Sequence, residues 1–236
     1  MTDYRKIRFN NLNTPEFRHV WLLLFWPAFG LLFTLLERGG ITSGFHPVYC
    51  ALDGMIPFCE YFLPLYLYWF VFLPFMLVYT FLFDVPAFRR MMYFIMVTYL
   101  ITVTVYFIYP TCQNLRPAEF QRDNIFTRFL AWFYVYDTNT NVCPSIHVIG
   151  SFAAMNAAWD TKKFQTRGWR WFFALSAVLI SVSTLFVKQH SALDVFWALP
   201  VCAAGVLTVY LPKIRKKDKA PALEKARPIE VEWDGP

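Results

Sequence analysis

The sequence predicts an all-α polytopic membrane protein, a six-transmembrane-helix bundle, on three observations. Of 236 residues, 57% are hydrophobic and 20% aromatic, while 16% are charged; soluble domains carry about 25% charged residues. The apolar residues gather in runs of about twenty, the length a helix needs to cross the hydrocarbon. Lys and Arg gather between alternate runs, as the positive-inside rule requires of a chain that weaves through a bilayer.

The spans are 17–37, 61–83, 91–110, 143–159, 169–187 and 191–212. Backbone polar groups in hydrocarbon need internal partners, so each span is expected to be a helix. Pro27, Pro64, Pro74 and Pro200 fall inside spans, which membrane helices tolerate. Residues 17–212 thus form one transmembrane domain. Segment 1–16 is polar, and the first apolar run is long enough to span, so no cleavable signal is expected. Loop 40–60 and loop 111–142 are read as external, the first with a short interfacial helix and the second with an amphipathic piece near 124–136. Residues 213–236 read as a basic, disordered tail.

Basic residues mark one side: Arg5, Lys6, Arg8 and Arg18, then Arg89 and Arg90, then Lys162, Lys163, Arg167 and Arg170, then the tail. Both termini are therefore expected in the cytoplasm and the protein in the plasma membrane. The net charge of +6 is distributed between spans, not in a patch interleaved with aromatics, which argues against nucleic acid. The cysteines are Cys50, Cys59, Cys112, Cys143 and Cys202. Cys50–Cys59 and Cys112–Cys143 are candidate disulfides if their loops are extracytoplasmic.

Two spans open on polar residues, in NVCPSIHVIGSF (141–152) and KQHSALDV (188–195). Ionisable groups at membrane depth are functional candidates, because placing them there is costly. His190 and Asp194 stand four residues apart, the spacing that shares a helix face. A carboxylate there can fix one imidazole tautomer and leave the other nitrogen free to attack. His147 lies in the first turn of its span. Pro144 suits a first helical position, Thr140 or Asn141 can cap, and the N–H groups around Ser145 and Ile146 suit an anion. Arg116 can chelate phosphate oxygens and Lys188 adds a second cation. No carboxylate cluster has metal-ligand spacing, so no metal or other cofactor is expected. Asp53, Asp137, Asn139 and Asn141 read as turn formers, and His19 and His46 as ordinary interfacial residues.

These segments resemble the type 2 phosphatidic acid phosphatase superfamily. Its motifs are lysine-x6-arginine-proline, Pro-Ser-Gly-His, and Ser-Arg-x5-His-x3-Asp. Arg116–Pro117 matches the end of the first, PSIH (144–147) the second with Ile146 for glycine, and STLFVKQHSALD (183–194) the third with Thr184 for arginine. Tyr109 stands at the lysine position. The resemblance covers residues 60–212. Thr184 and YPT (109–111) are closest to the inositol phosphorylceramide synthase branch and, more distantly, the sphingomyelin synthases.

The resemblance implies a six-helix enzyme with a phosphatase-type site at the extracytoplasmic rim, working through a phosphohistidine. It implies His190 as nucleophile, Asp194 as its orienting partner, and His147 as acid and then base. Arg116, Ser145, Lys188 and Ser183 would hold phosphoryl oxygens, with Tyr109 giving one hydrogen bond. The expected partner is a lipid phosphate or phospholipid in the bilayer. The leading expectation is a metal-independent lipid phosphatase acting on a phosphomonoester or pyrophosphate lipid. The alternative is transfer of a phospholipid headgroup to another lipid's hydroxyl, which the missing arginine and lysine favour. A transporter with a histidine relay would instead place charge near the bilayer centre; here the polar groups sit at one rim.

Overall fold

A computed structural model describes residues 2–212; the tail predicted from residue 213 lies outside the described residues. The helices are α1 (Phe25–Arg38), α2 (Ala51–Met55), α3 (Leu63–Phe83), α4 (Val85–Ile108), α5 (Ile125–Tyr136), α6 (Ile146–Asp160), α7 (Arg167–Phe186) and α8 (Ala192–Gly205). A 3₁₀ segment, Arg18–Leu24, leads into α1, and a π turn, Val206–Tyr210, continues α8. Two short strands, β1 (His46–Pro47) and β2 (Thr111–Cys112), pair in parallel and join the two long loops.

Five helical stretches are long and apolar enough to cross a membrane: Arg18–Arg38, Glu60–Phe83, Val85–Ile108, Arg167–Phe186 and Ala192–Tyr210. The chain is thus an all-α membrane protein, with five such spans where six were expected. The sixth expected span is α6, whose 15 residues reach about 22 Å, short of the ~30 Å hydrocarbon.

Instead, α6 is the axis of the bundle and packs on α3, α4, α7 and α8. Its inward residues are small: Gly150, Ser151, Ala153, Ala154, Ala157 and Ala158 are all buried. Small side chains let neighbouring backbones approach closely, where tight packing replaces the hydrophobic drive that lipid removes. Trp69 of α3 and Tyr99 of α4 lie against Gly150, where an added Cβ would come within 2.9 Å of Trp69 Nε1. Buried hydroxyls bond back to their own helices, as Thr98 does to Phe94 O and Ser151 to His147 O, both at 2.7 Å. That removes the cost of an unpaired donor in an apolar interior.

Boundaries follow local chemistry. Asp84 caps α4 by accepting from Ala87 N at 3.2 Å, and Pro86 occupies its first turn, so α4 begins before residue 91. The short helix anticipated in the first loop is α2, and the amphipathic piece is α5, whose cap Asn124 accepts from Phe126 N and Thr127 N. All five cysteines are free thiols, so neither candidate disulfide is formed.

The basic residues gather at one end. Arg90 pairs with Asp160 at the end of α6, and Arg89 donates to Pro15 O at 3.1 Å. The first turn of α6 and the loop before α8 meet at the opposite end, where Ser145 N donates to Asp194 O at 3.1 Å.

Candidate active site

The two sequence oddities converge. His147 Nδ1 lies 3.1 Å from His190 Nε2, and His190 Nδ1 lies 3.1 Å from Asp194 Oδ2. A carboxylate only accepts, so His190 Nδ1 carries the proton and its Nε2 presents a lone pair. The donor opposite that lone pair is then His147 Nδ1–H. This chain of three groups leaves a nucleophile and a proton donor facing each other.

The His190–Asp194 contact arises differently from the helix-face argument. α8 begins at Ala192, so His190 precedes the helix. Ser191 is the N-cap: its Oγ accepts from Leu193 N at 3.2 Å, while Asp194 Oδ2 accepts from Ser191 N at 2.9 Å. This reciprocal capping turns the Asp194 carboxylate back over the cap, where it meets His190.

The start of α6 also differs from expectation. Ser145 is the N-cap and accepts from Val148 N at 3.4 Å. Thr140 and Asn141 therefore do not cap this helix, and Pro144 lies before it. Ser145 N–H is occupied by Asp194 O, so it is not open to an anion. Tyr106 of α4 donates to Pro144 O at 2.6 Å and fixes this turn. Tyr66 and Trp69 flank the His147 ring with centroids 4.9 and 4.7 Å away.

The expected cations are committed elsewhere. Arg116 donates to the carbonyls of Tyr134, Asp137 and Thr138 and to Gln189 Oε1, and stacks 4.3 Å over the Tyr134 ring. Lys188, at φ 51°, sends its ammonium to Asp53 O at 3.0 Å and Ile56 O at 2.5 Å. Burial lowers the pKa of both groups, opposed by Asp137 at Arg116 and by Asp53 at Lys188. Ser183 bonds back to Ile180 O at 2.6 Å. Tyr109 is 52% exposed and stacks on His46 with centroids 4.0 Å apart. It lines an apolar cavity of 640 Å³ between α4 and α8, not the histidine cleft.

Two aspartates treated as turn formers prove central. Buried Asp53 of α2 accepts from Cys50 N at 2.8 Å, Ser191 Oγ at 2.6 Å and Ala192 N at 2.7 Å. It thus supports the cap of α8 from a distant loop. Asp137 Oδ2 accepts from Tyr66 OH and from Gln189 Nε2. Burial raises the Asp137 pKa, against the opposing effects of Tyr66, His190 and Arg116. Only its position four residues before Asn141 and seven before Pro144 could have singled it out, and that is a weak signal.

The cleft around the histidines is lined by Phe33, Glu37, Tyr106, Asp137, Thr138, Thr140, Asn141, Val142, Ile146 and Gln189. None of these is Lys or Arg. Among the described residues no three His, Cys, Asp or Glu side chains converge as a metal would require. Comparison with family models, with curated proteins and with solved structures returns no match.

Proposed function

We propose that the chain is a membrane-embedded enzyme that breaks lipid phosphate esters through a phosphohistidine on His190. The observation that carries this reading is the line His147 Nδ1 to His190 Nε2 to Asp194, with 3.1 Å at each step. An acid–base group beside a nucleophile, with a third group orienting it, is the arrangement covalent catalysis needs. The resemblance of PSIH and the Ser183–Asp194 segment to the type 2 phosphatidic acid phosphatases supports the same assignment.

In the first step the Nε2 lone pair forms a P–N bond while the P–O bond to the leaving group breaks. A proton from His147 passes to the departing oxygen. In the second step His147 takes the proton of an incoming O–H group, that oxygen attacks phosphorus, and the P–N bond breaks. Asp194 stays ionised and offsets the positive charge of the modified ring. At 3.1 Å the two rings leave no room for phosphorus, and a near-attack distance is about 3–3.5 Å on either side. Substrate binding therefore requires the rings to part.

The 640 Å³ apolar groove supports a lipid substrate, because its wall includes Cys143, Pro144 and Leu193 beside the histidines. We assign α6 as the sixth membrane helix of the bundle, the termini to the cytoplasm and the site to the extracytoplasmic rim of the plasma membrane. The basic residues at the far end of the bundle support that orientation.

Water as acceptor makes the enzyme a lipid phosphatase. One observation favours the second reading, transfer of a phospholipid headgroup. The cleft is lined by Glu37 and Asp137 and by no cation, which disfavours a dianionic monoester and suits the single charge of a diester. Purified protein offered matched lipid monoesters and diesters, scored for phosphate and for new lipids, separates them. Release of phosphate from monoesters alone supports hydrolysis. New phosphodiester lipids without phosphate support transfer, and neither product from any lipid overturns the proposal.

A further inference from the structure

The cleft beside the histidines holds hydrogen-bond acceptors that lack donors. Asn141 is 3% exposed, and its Nδ2 is directed to Leu36 O, 3.5 Å away, which leaves Oδ1 buried without a partner. Glu37 Oε2 receives the hydroxyls of Thr138 and Thr140, while Oε1 is buried without a partner. Asp137 brings a second carboxylate to the same wall. Buried polar atoms ordinarily find partners, so unpaired acceptors converging on one cavity point to a donor that belongs there.

The charge in reach does not supply it. The guanidinium of Arg38 is turned to the carbonyls of Val135 and Tyr136, and that of Arg116 to Tyr134, Asp137 and Thr138. The cavity measures 20 Å³, room for one water-sized group, which takes about 10–15 Å³. An ammonium –NH₃⁺ has that size and three donors. A trimethylammonium group is larger and has no N–H.

We propose that Glu37, Asn141 and Asp137 form a headgroup subsite that takes a primary ammonium group linked to the phosphorus attacked by His190. The inference rests on the assignment of His190 as nucleophile and names the substrate class: phosphodiesters of the ethanolamine or serine type. The ammonium group stays with phosphorus during transfer, so the subsite holds donor and phosphoenzyme alike and lets the glyceride leave. Positive charge on the headgroup also supplies the cation that the cleft lacks.

The test uses the full chain in detergent and four water-soluble probes: vanadate, phosphoethanolamine, phosphocholine and glycerol phosphate. Vanadate binding reports the phosphoryl site itself. Phosphoethanolamine is expected to bind about tenfold more tightly than glycerol phosphate and phosphocholine, the worth of one charge-assisted hydrogen bond. Glu37→Gln is expected to remove most of that preference while vanadate still binds. If vanadate binds and the three organic phosphates bind equally, water occupies the cleft and the subsite is refuted with the phosphoryl site intact. Phosphocholine binding as tightly as phosphoethanolamine refutes the donor chemistry. Absence of vanadate binding overturns both the subsite and the nucleophile assignment. The wild-type ranking stands as a test even if the variant fails to fold.

Discussion

Arg116 shows how a side chain's partners decide its role. Its motif position suggested a phosphate clamp, yet its nitrogens bind three carbonyls and Gln189. Sequence spacing recorded the residue but not the carbonyls that converge on it, because these come from the end of α5 and the loop beyond. The guanidinium holds that loop shut over Gln189, the neighbour of His190. Arg116→Ala leaves buried acceptors unpaired, which costs about 2–3 kcal/mol. A chain of this size should then melt about 4–12 °C lower, read by intrinsic fluorescence in detergent. An unchanged melting point with a large rise in KM would return Arg116 to the phosphate. His190 and Asp194 were legible for the opposite reason: their partnership is local and needs only the cap of one helix. Asp53 and Asp137 were not legible, since their partners lie up to 139 residues away and no short-range pattern marks them.

At the scale of elements, the helices were readable and their connections were not. Long apolar runs mark five spans, and α5 follows from its own cap. The pairing of β1 with β2, and the docking of α2 on α8, depend on tertiary meetings that periodicity does not encode. That docking has a functional consequence. Asp53 bonds Ser191 Oγ and Ala192 N, and Lys188 bonds the carbonyls of Asp53 and Ile56, so α2 sets the turn that carries His190. Asp53→Asn replaces one acceptor oxygen by an amide donor facing N–H or O–H groups. The two charge-assisted bonds at stake are worth about 1.5–3 kcal/mol each, and partial loss should lower kcat about 10–100-fold per folded molecule, with KM within about twofold. A fall in folded protein with unchanged kcat per folded molecule would make the contact purely structural.

For the whole molecule, one short axial helix carries the argument from sequence to site. α6 is too brief to be recognised as a span by length, yet its small residues draw α3, α4, α7 and α8 around it. Its first turn then lies beside the cap of α8, as the Ser145 N to Asp194 O bond shows. The two imidazoles meet because two helices begin at the same end of the bundle, and the basic residues of the other end orient it. The polar mouth at Pro144–His147 was visible in the sequence; that its partner stands 43 residues on, at 3.1 Å, was visible only through motif resemblance.

The central claim is that His190 becomes phosphorylated. The most direct measurement is rapid-quench trapping of protein mixed with lipid phosphate labelled at phosphorus. With His147→Ala, which removes the group that activates the acceptor, label should accumulate on the protein, survive base and be lost in acid. With His190→Ala, folded by the same melting criterion, no label should appear. Label that persists in the His190 variant, or turnover by wild type with no trappable phosphoenzyme, would contradict the account.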